Sequence, residues 1–316
     1  MDSLLAELVA ARAGVVTVRQ FREWGVHRAA VAAAVRGGEL LRVGRGAYTT
    51  PAGNVTPEEA HLRRARAVLD MLPPTTVLTH HSALAYWGLP TYDADLRIVH
   101  VGRVEKPSVN RASGRRWHRL QAGTPLDHED PVQAVAVAPE IAAVQVGLSS
   151  PRAYLVAADR ALRNGVADLN AGRALRGATT TTRLQAGVSL HRSNRGVAGV
   201  RRVLDLADPR SESAGESLLR HDLLALGFAV EPQHVVELSV QRRYRVDLRI
   251  RGSRVVCEYD GEEKYEGNDA RERARIRVAE RERERDLRRL GWRIARFTKH
   301  DLGRYEVIRE RVEEAR

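Results

Sequence analysis

Hydrophobic spacing divides the chain into stretches of helical and of strand character. Leu4, Leu5, Leu8 and Val9 recur at the spacing that puts side chains on one helix face. Thr17 is placed to cap a short helix through Trp24 that Gly25 ends, and a second short helix spans about His27–Arg36 before Gly37-Gly38. Glu39–Val43 and Gly46–Thr50 then flank a Gly44-Arg45-Gly46 turn, the pattern of a hairpin. Pro57–Leu72 predicts a longer helix with Ala60, Leu62, Ala65, Val68 and Leu69 as its apolar stripe, and Thr79–Leu89 a short capped one ending at Gly88. Arg97–Val101 reads as a strand, and residues 151–163 and 196–206 as helices. Gly177–Gly187, with four consecutive threonines, reads as a loop.

The last hundred residues have the clearest periodicity. Ser213 caps a helix to about Leu226, with Glu216 at the capping-box position, and Gly227 ends it. Three strands follow: Ala229–Leu238, Arg243–Ile250 and Arg254–Tyr259. In the second, Tyr244, Val246, Leu248 and Ile250 alternate with Arg243, Arg245, Asp247 and Arg249. A charged helix from about Asp269 to Leu290, a strand over Trp292–Phe297 and a terminal helix from about Gly303 complete the order. From Glu280 to Arg285, Arg and Glu alternate, so opposite charges fall three residues apart, as at Arg283 and Asp286. This face reads as solvated, with some arginines free to touch phosphate.

Composition narrows the function classes. At 43% hydrophobic and 29% charged, 316 residues are enough for real cores in about two domains. No stretch is a membrane span; the most apolar, Val132–Val146, is interrupted by Pro139 and Glu140. No secretory signal is expected from the start of the chain, and a single cysteine, Cys257, leaves no intramolecular disulfide and no cysteine-based zinc site. A reducing cytoplasm is the expected compartment. The net charge of +12 favours polyanions, nucleic acid above all. With 5% aromatic residues a base-stacking platform for single strands is not expected. His80 and His81 are neighbours in sequence but point apart on a helix, without a carboxylate at ligand spacing, and read as structural histidines.

Helix, turn, helix and hairpin over residues 1–54 is the order of a winged helix-turn-helix. There the second helix lies in the major groove and the wing beside the backbone. His27, Arg28 and Arg36 on the helix, with Arg42 and Arg45 on the wing, are the candidate DNA contacts. The alternative is a small helical protein-interaction module. Val16-Thr17, Ala30–Val35 and the run Gly38–Tyr48 resemble the N-terminal domain of type IV abortive-infection antitoxins of the AbiEi type. The segment around Thr79–Leu89 is similar to the continuation of that family. Residues 55–208 are therefore expected to be an antitoxin-like α/β middle domain, a spacer or a partner-binding part without chemistry of its own.

In the C-terminal part, residues 209–316, strand alternation places Glu258 and Asp260 on one face and Cys257 and Tyr259 on the other, with Cys257 a small core residue. Asp247 lies opposite Val246 and Leu248, and Glu216 approaches from the preceding helix. Four converging carboxylates repel, and a divalent cation resolves the repulsion; oxygen ligands suit Mg²⁺ or Mn²⁺. Gly215-Glu216-Ser217, Arg245–Leu248, Val256–Gly261, Arg281–Arg285, Leu290–Trp292 and Arg296–Thr298 resemble, in this order, the very-short-patch-repair-like branch of the PD-(D/E)XK nucleases. The resemblance implies a restriction-endonuclease-like α/β domain with a mixed central sheet. It also implies Asp247 and Glu258 as metal ligands, with Glu216 assisting. Asp260 stands where that superfamily has its lysine. Lys264 is the nearest lysine, with Arg273 and Arg281 as other cations in reach.

The sequence thus leads to an α/β multidomain protein and a metal-dependent endonuclease that hydrolyses DNA phosphodiesters, targeted by the N-terminal domain, in defence or repair. The partners expected are DNA and either a toxin or a second copy. The alternative is a non-catalytic DNA-binding antitoxin or regulator with a degenerate nuclease fold, its carboxylates salt-bridged to the many arginines.

Overall fold

The computed structural model describes residues 7, 9, 14–44, 46–51, 55–104, 111–112, 114–126, 135–171, 175–239, 242–261 and 270–316. The side chains of 111–112, 168–171, 270–274, 276 and 277 lie outside the description. The chain forms a mixed α/β structure in two units. Met1–Ser149 with Thr182–Val197 makes one, and Ser150–Thr181 with Ala198–Arg316 makes the other. The stretch between the two ends of the chain is therefore shared between the units.

The first unit begins with β1 (Val16–Thr17), α1 (Val18–Glu23), α2 (Arg28–Arg36), β2 (Leu41–Gly44) and β3 (Ala47–Thr49). Thr17 caps α1 in a full capping box with Gln20, satisfying amides that the first helical turn leaves unpaired. The hairpin is joined by β1, giving the order β1-β3-β2. Val9, Val16, Phe21, Val31, Ala34 and Leu40 form the small core between helices and sheet.

After it come α3 (Pro57–Asp70), β4 (Val77–Leu78), α4 (His80–Tyr86), β5 (Val99–Arg103), β6 (Arg111–Ala112), β7 (Arg115–Arg119), α5 (Pro139–Gly147) and, mostly in this unit, α7 (Thr181–Leu190). The sheet order is β4-β5-β7-β6, with β5 and β7 parallel. Thr56 and Glu59 form the capping box of α3, and Pro57 occupies its first turn. The buried residues of α3 are His61, Ala65 and Ala67, so its inner face is rotated from the expected stripe, and Leu62 and Leu69 instead line an open apolar depression. The apolar run breaks at Pro139, which starts α5, where a missing amide costs nothing. Every residue of α5 is buried, which accounts for its uniformly apolar sequence. The threonine stretch is a loop only to Thr180. From Thr181 the chain is helical, because burying Leu184, Gly187 and Val188 outweighs the weak helix preference of threonine.

The second unit comprises α6 (Pro151–Ala171), α8 (Val197–Leu204, from Ala198), α9 (Ala214–Ala225), β8 (Val230–Ser239), β9 (Arg242–Ile250), β10 (Val255–Tyr259), α10 (Ala270–Arg289), β11 (Arg293–Phe297) and α11 (Tyr305–Glu314). Its sheet is mixed, in the order β11-β10-β9-β8. The β8–β9 and β9–β10 pairs are antiparallel and β10–β11 is parallel, as the intervening α10 crossover requires. One face carries Leu248, Ile250, Val255, Cys257, Ala295 and Phe297 against Leu219 and Leu223 of α9 and Ile308 and Val312 of α11. Val236, Val246 and Val256 pack with Leu287 of α10 in a second cluster. β9 thus contributes Tyr244 and Val246 to one cluster and Leu248 and Ile250 to the other, although all four alternate with polar residues as expected.

Two arginines join α6 to α9. Arg220 donates to the Asp159 carboxylate at 2.7 Å, to Ser211 Oγ and to the Leu206 carbonyl, and both members of the pair are almost fully buried. Burial pushes the Asp159 carboxyl up, against the pull of Arg220 and its other hydrogen bonds. Arg152 grips the fully buried Asp222 through both oxygens, and Asp222 also accepts the Gly303 amide. On the far side of α9, a Cβ on Gly215 would lie 2.0 Å from the Tyr259 ring, so only glycine lets that ring close over the helix.

Removing Arg220 leaves Asp159 buried without its cation. Arg220→Met is expected to lose about 3–5 kcal/mol of stability, seen as a lowered midpoint in denaturant unfolding. Gly215→Ala is expected to lose about 1–3 kcal/mol by overpacking, and the double variant Gly215→Ala/Tyr259→Leu to regain part of it.

Candidate functional site

Two groups of charged side chains carry the sequence-based candidates, one in each unit. In the first, α2 buries Val31 and Ala34 and exposes Arg28, Ala29, Ala32, Ala33 and Arg36. His27, the residue before the helix, is exposed and makes no capping hydrogen bond. Arg42, on β2, is exposed and donates its Nε to the Gly44 carbonyl at 3.1 Å, which directs it along the hairpin. A cleft between the helices and the hairpin is lined by Val18, Arg22, His27, Arg28, Arg42 and Tyr48, among others.

The fold thus brings His27, Arg28 and Arg42 to one concave surface. Arg36 is exposed at the other end of α2, about 12 Å along the axis, and does not line the cleft. Arg45 lies outside the described residues. Arg22, on the last turn of α1, joins the lining and was not among the residues expected. Its one signal in the sequence was its place just ahead of the turn that leads into α2.

In the second unit strand alternation sets the faces of Cys257 and Glu258 as expected, and the partners of the four carboxylates are side chains and backbone amides. Glu216 accepts from Ser213 Oγ at 3.0 Å and, through its other oxygen, from the Glu212 amide at 3.0 Å and Gln233 Nε2 at 2.8 Å. Gln233 reaches it from a residue with φ +54°, a left-handed conformation within β8. Asp247 Oδ2 accepts the Tyr259 amide at 2.9 Å, which fixes it beside the end of β10. Glu258, 5% exposed, accepts directly from Arg283 of α10, and Arg296 of β11 lies 3.7 Å from its other oxygen. Arg296 also contacts Asp260 and Glu284, each at 3.3 Å. Burial alone would lower the Arg296 guanidinium, but the surrounding carboxylates raise it, so its charge is fixed.

Glu258 and Asp260 do share a face, as expected, and what they share is Arg296. Cys257 lies on the opposite, core face, where burial pushes its thiol up to about 12 and makes it unreactive. Among the described residues, no three of the carboxylates bring ligand oxygens within 4.8 Å of one another. Arg296 thus stands between Glu258 and Asp260, while Arg283 reaches only Glu258 of the two. The other expected ligands, Asp247 and Glu216, accept from the Tyr259 amide and from Ser213, Glu212 and Gln233. Lys264 lies outside the described residues, as does the side chain of Arg273. Arg281 is exposed, in a shallow depression with Glu284, Arg285, Arg288 and Arg289.

The charge pattern of α10 also resolves differently. Arg283 turns inward to Glu258, and the Asp286 carboxylate accepts from the Tyr244 hydroxyl and pairs with Arg242 of β9. Partners across the sheet displace the pair expected along the helix, because buried carboxylates gain more from a charged donor than exposed ones do. Arg283, Arg296 and Gln233 were not recognised in sequence as parts of this cluster. Arg283 is hidden in the Arg/Glu alternation, and Gln233 in a strand whose left-handed residue leaves no sequence mark.

Among the described residues, no helix is long and apolar enough to cross a membrane. No curated protein matches the chain. The crystal structure of the RV2827C protein from Mycobacterium tuberculosis is similar over 69% of this chain and 80% of that one, at 21% sequence identity and a TM-score of 0.37. Residues 3–51, which hold the basic cleft, match the family model AbiEi_4, described as transcriptional regulator, AbiEi antitoxin.

Proposed function

We propose that the protein is a DNA-binding regulator of the antitoxin type. In this reading residues 14–51 are a winged helix-turn-helix, and the second unit keeps a restriction-endonuclease-like fold without nuclease activity. The observation that carries it is the cleft of Arg22, His27, Arg28 and Arg42, built within the residues that match the regulator family model. α2 is the helix that enters the major groove. Its outward face of Ala29, Ala32 and Ala33 is small enough to approach base edges and thymine methyl groups. Arg28 and Arg42 flank that face and meet phosphates, which set register and orientation. The net charge of +12 adds a long-range attraction to the polyanion. The other surfaces serve a toxin partner or a second copy of the chain.

The arginines on Glu258 and Asp260 support a structural rather than a hydrolytic role for the acidic cluster. Neutralised from within the protein, these carboxylates tie β10, α10 and β11 together without needing a cation.

Binding to duplex DNA, followed by fluorescence anisotropy across a salt series, is expected to weaken severalfold in Arg28→Ala and in Arg42→Ala. The slope of log affinity against log salt should fall by about 1 for each phosphate that a variant no longer neutralises. Unchanged affinity and slope in both variants would remove the cleft from the interface. With supercoiled plasmid in Mg²⁺ or Mn²⁺, the expectation is a salt-sensitive mobility shift without cleavage. Metal-dependent nicking that disappears in Asp247→Ala would instead restore the endonuclease.

A further inference from the structure

We propose that His80, His100 and His118 form a binding site for a borderline divalent transition metal, Zn²⁺ or a first-row neighbour of similar ligand preference. The site lies in the first unit, apart from the basic cleft, and does not depend on the function proposed above.

The three histidines come from three elements that only the fold brings together. His80 is the first residue of α4, His100 lies on β5 and His118 on the parallel neighbour β7. One ring nitrogen of each lies within 4.8 Å of the others, and among the described residues no other trio of histidine, cysteine or carboxylate side chains does so. His100 Nδ1 faces His118 Nε2 at 2.9 Å. Four-coordinate zinc with Zn–N of about 2.0–2.1 Å sets its ligand nitrogens about 3.3–3.4 Å apart, so the His100–His118 pair has to open by a few tenths of an ångström to take the ion.

The surroundings leave this group short of hydrogen-bonding partners. His80 Nδ1 is buried and has no hydrogen bond. The His100–His118 contact joins two nitrogens, so one of them must spend its proton on the other. The charged neighbours that act on the three rings are other histidines (His61, His81 and His191) and Arg116, all cationic or neutral. Burial, reinforced by those neighbours, depresses all three rings, His100 to about 3 and His118 to about 4, with His80 well below its ordinary value. All three are therefore neutral at physiological pH, the form in which imidazole binds a metal. Nitrogen ligands of this kind suit zinc, copper and nickel rather than magnesium or calcium. Three protein ligands leave a fourth position for water or another small donor.

The scaffold holds the rings at close quarters. His80 adopts φ +49° and donates its amide to Gln145 Oε1 at 3.0 Å, while the Thr79 amide bonds the His100 carbonyl. Gly102, paired with His118, permits that approach, since a Cβ there would lie 2.7 Å from Thr79 Cγ2. Beneath them His61 Nδ1 donates to the Leu96 carbonyl, which leaves Nε2 to accept from Ser82, whose oxygen in turn accepts the His100 amide. The His80 and His118 rings stack at 3.7 Å, and the His100 ring lies stacked against both. Coordination exchanges that stacking for bonds in the ring planes by rotation about χ2.

The test uses the untagged full-length chain, stripped with EDTA, exposed to Zn²⁺ or Co²⁺ and desalted. One metal per chain is expected to remain, with a Zn²⁺-dependent rise in melting temperature and the intense visible bands of four-coordinate Co²⁺. His100→Gln and His118→Gln should each lose the metal and the rise, while His234→Gln, on β8, keeps both. No retained metal in the parent chain, or equal retention in His100→Gln and His118→Gln, overturns the proposal. If these two variants fail to fold, the Co²⁺ spectrum of the parent chain decides. Four-coordinate bands uphold the site, and the weak bands of octahedral Co²⁺ overturn it.

Discussion

Burying carboxylates beside arginine is the constraint on which the second unit rests. An unpaired charge in a protein interior costs several kcal/mol, so each such group fixes the position of a partner. Asp159 holds Arg220 and Asp222 holds Arg152, which lock α6 against α9. Glu258 holds Arg283 and Arg296, which bind α10 and β11 to β10. Asp301, also buried, takes the Thr298 amide and hydroxyl and Arg311, which seats α11 against the end of β11. The sheet and helices meet through an apolar core of mostly aliphatic side chains with Phe228 and Phe297, whose packing is not directional. The directional arginine pairs supply the register that such a core leaves open.

The same constraint bears on chemistry. An acidic cluster draws cations to it, whether ions or side chains. Here the cations are side chains, one of them on the helix that the β10–β11 crossover brings back across the sheet. In the first unit the charge is unbalanced in the other sense. Arg22, Arg28 and Arg42 converge on a cleft, and a polyanion is the ligand that such a surface suits.

The histidine trio shows a third outcome of burial. Buried arginine keeps its charge and needs an acid, whereas buried imidazole gives up its proton and needs no counter-ion. What it then offers is a set of lone pairs held by an otherwise well-bonded frame of Ser82, His61 and Gln145.

Local sequence determined the elements. Thr17 and Thr56 cap their helices, Ser213 caps α9, and the alternation of β9 and β10 puts Cys257 in the core and Glu258 on the opposite face. These are readable because caps and periodicities act over a few residues. Tertiary structure decided which groups meet. Arg283 joins Glu258 across the sheet rather than Asp286 along its own helix, and His80 stacks on His118 of β7. Every residue of α5, from Pro139 on, is buried, so the surroundings and not an apolar stripe hold it. Residue spacing fixes a side chain's face, but its partner is set by strand order and crossover, which bring together residues far apart in the chain.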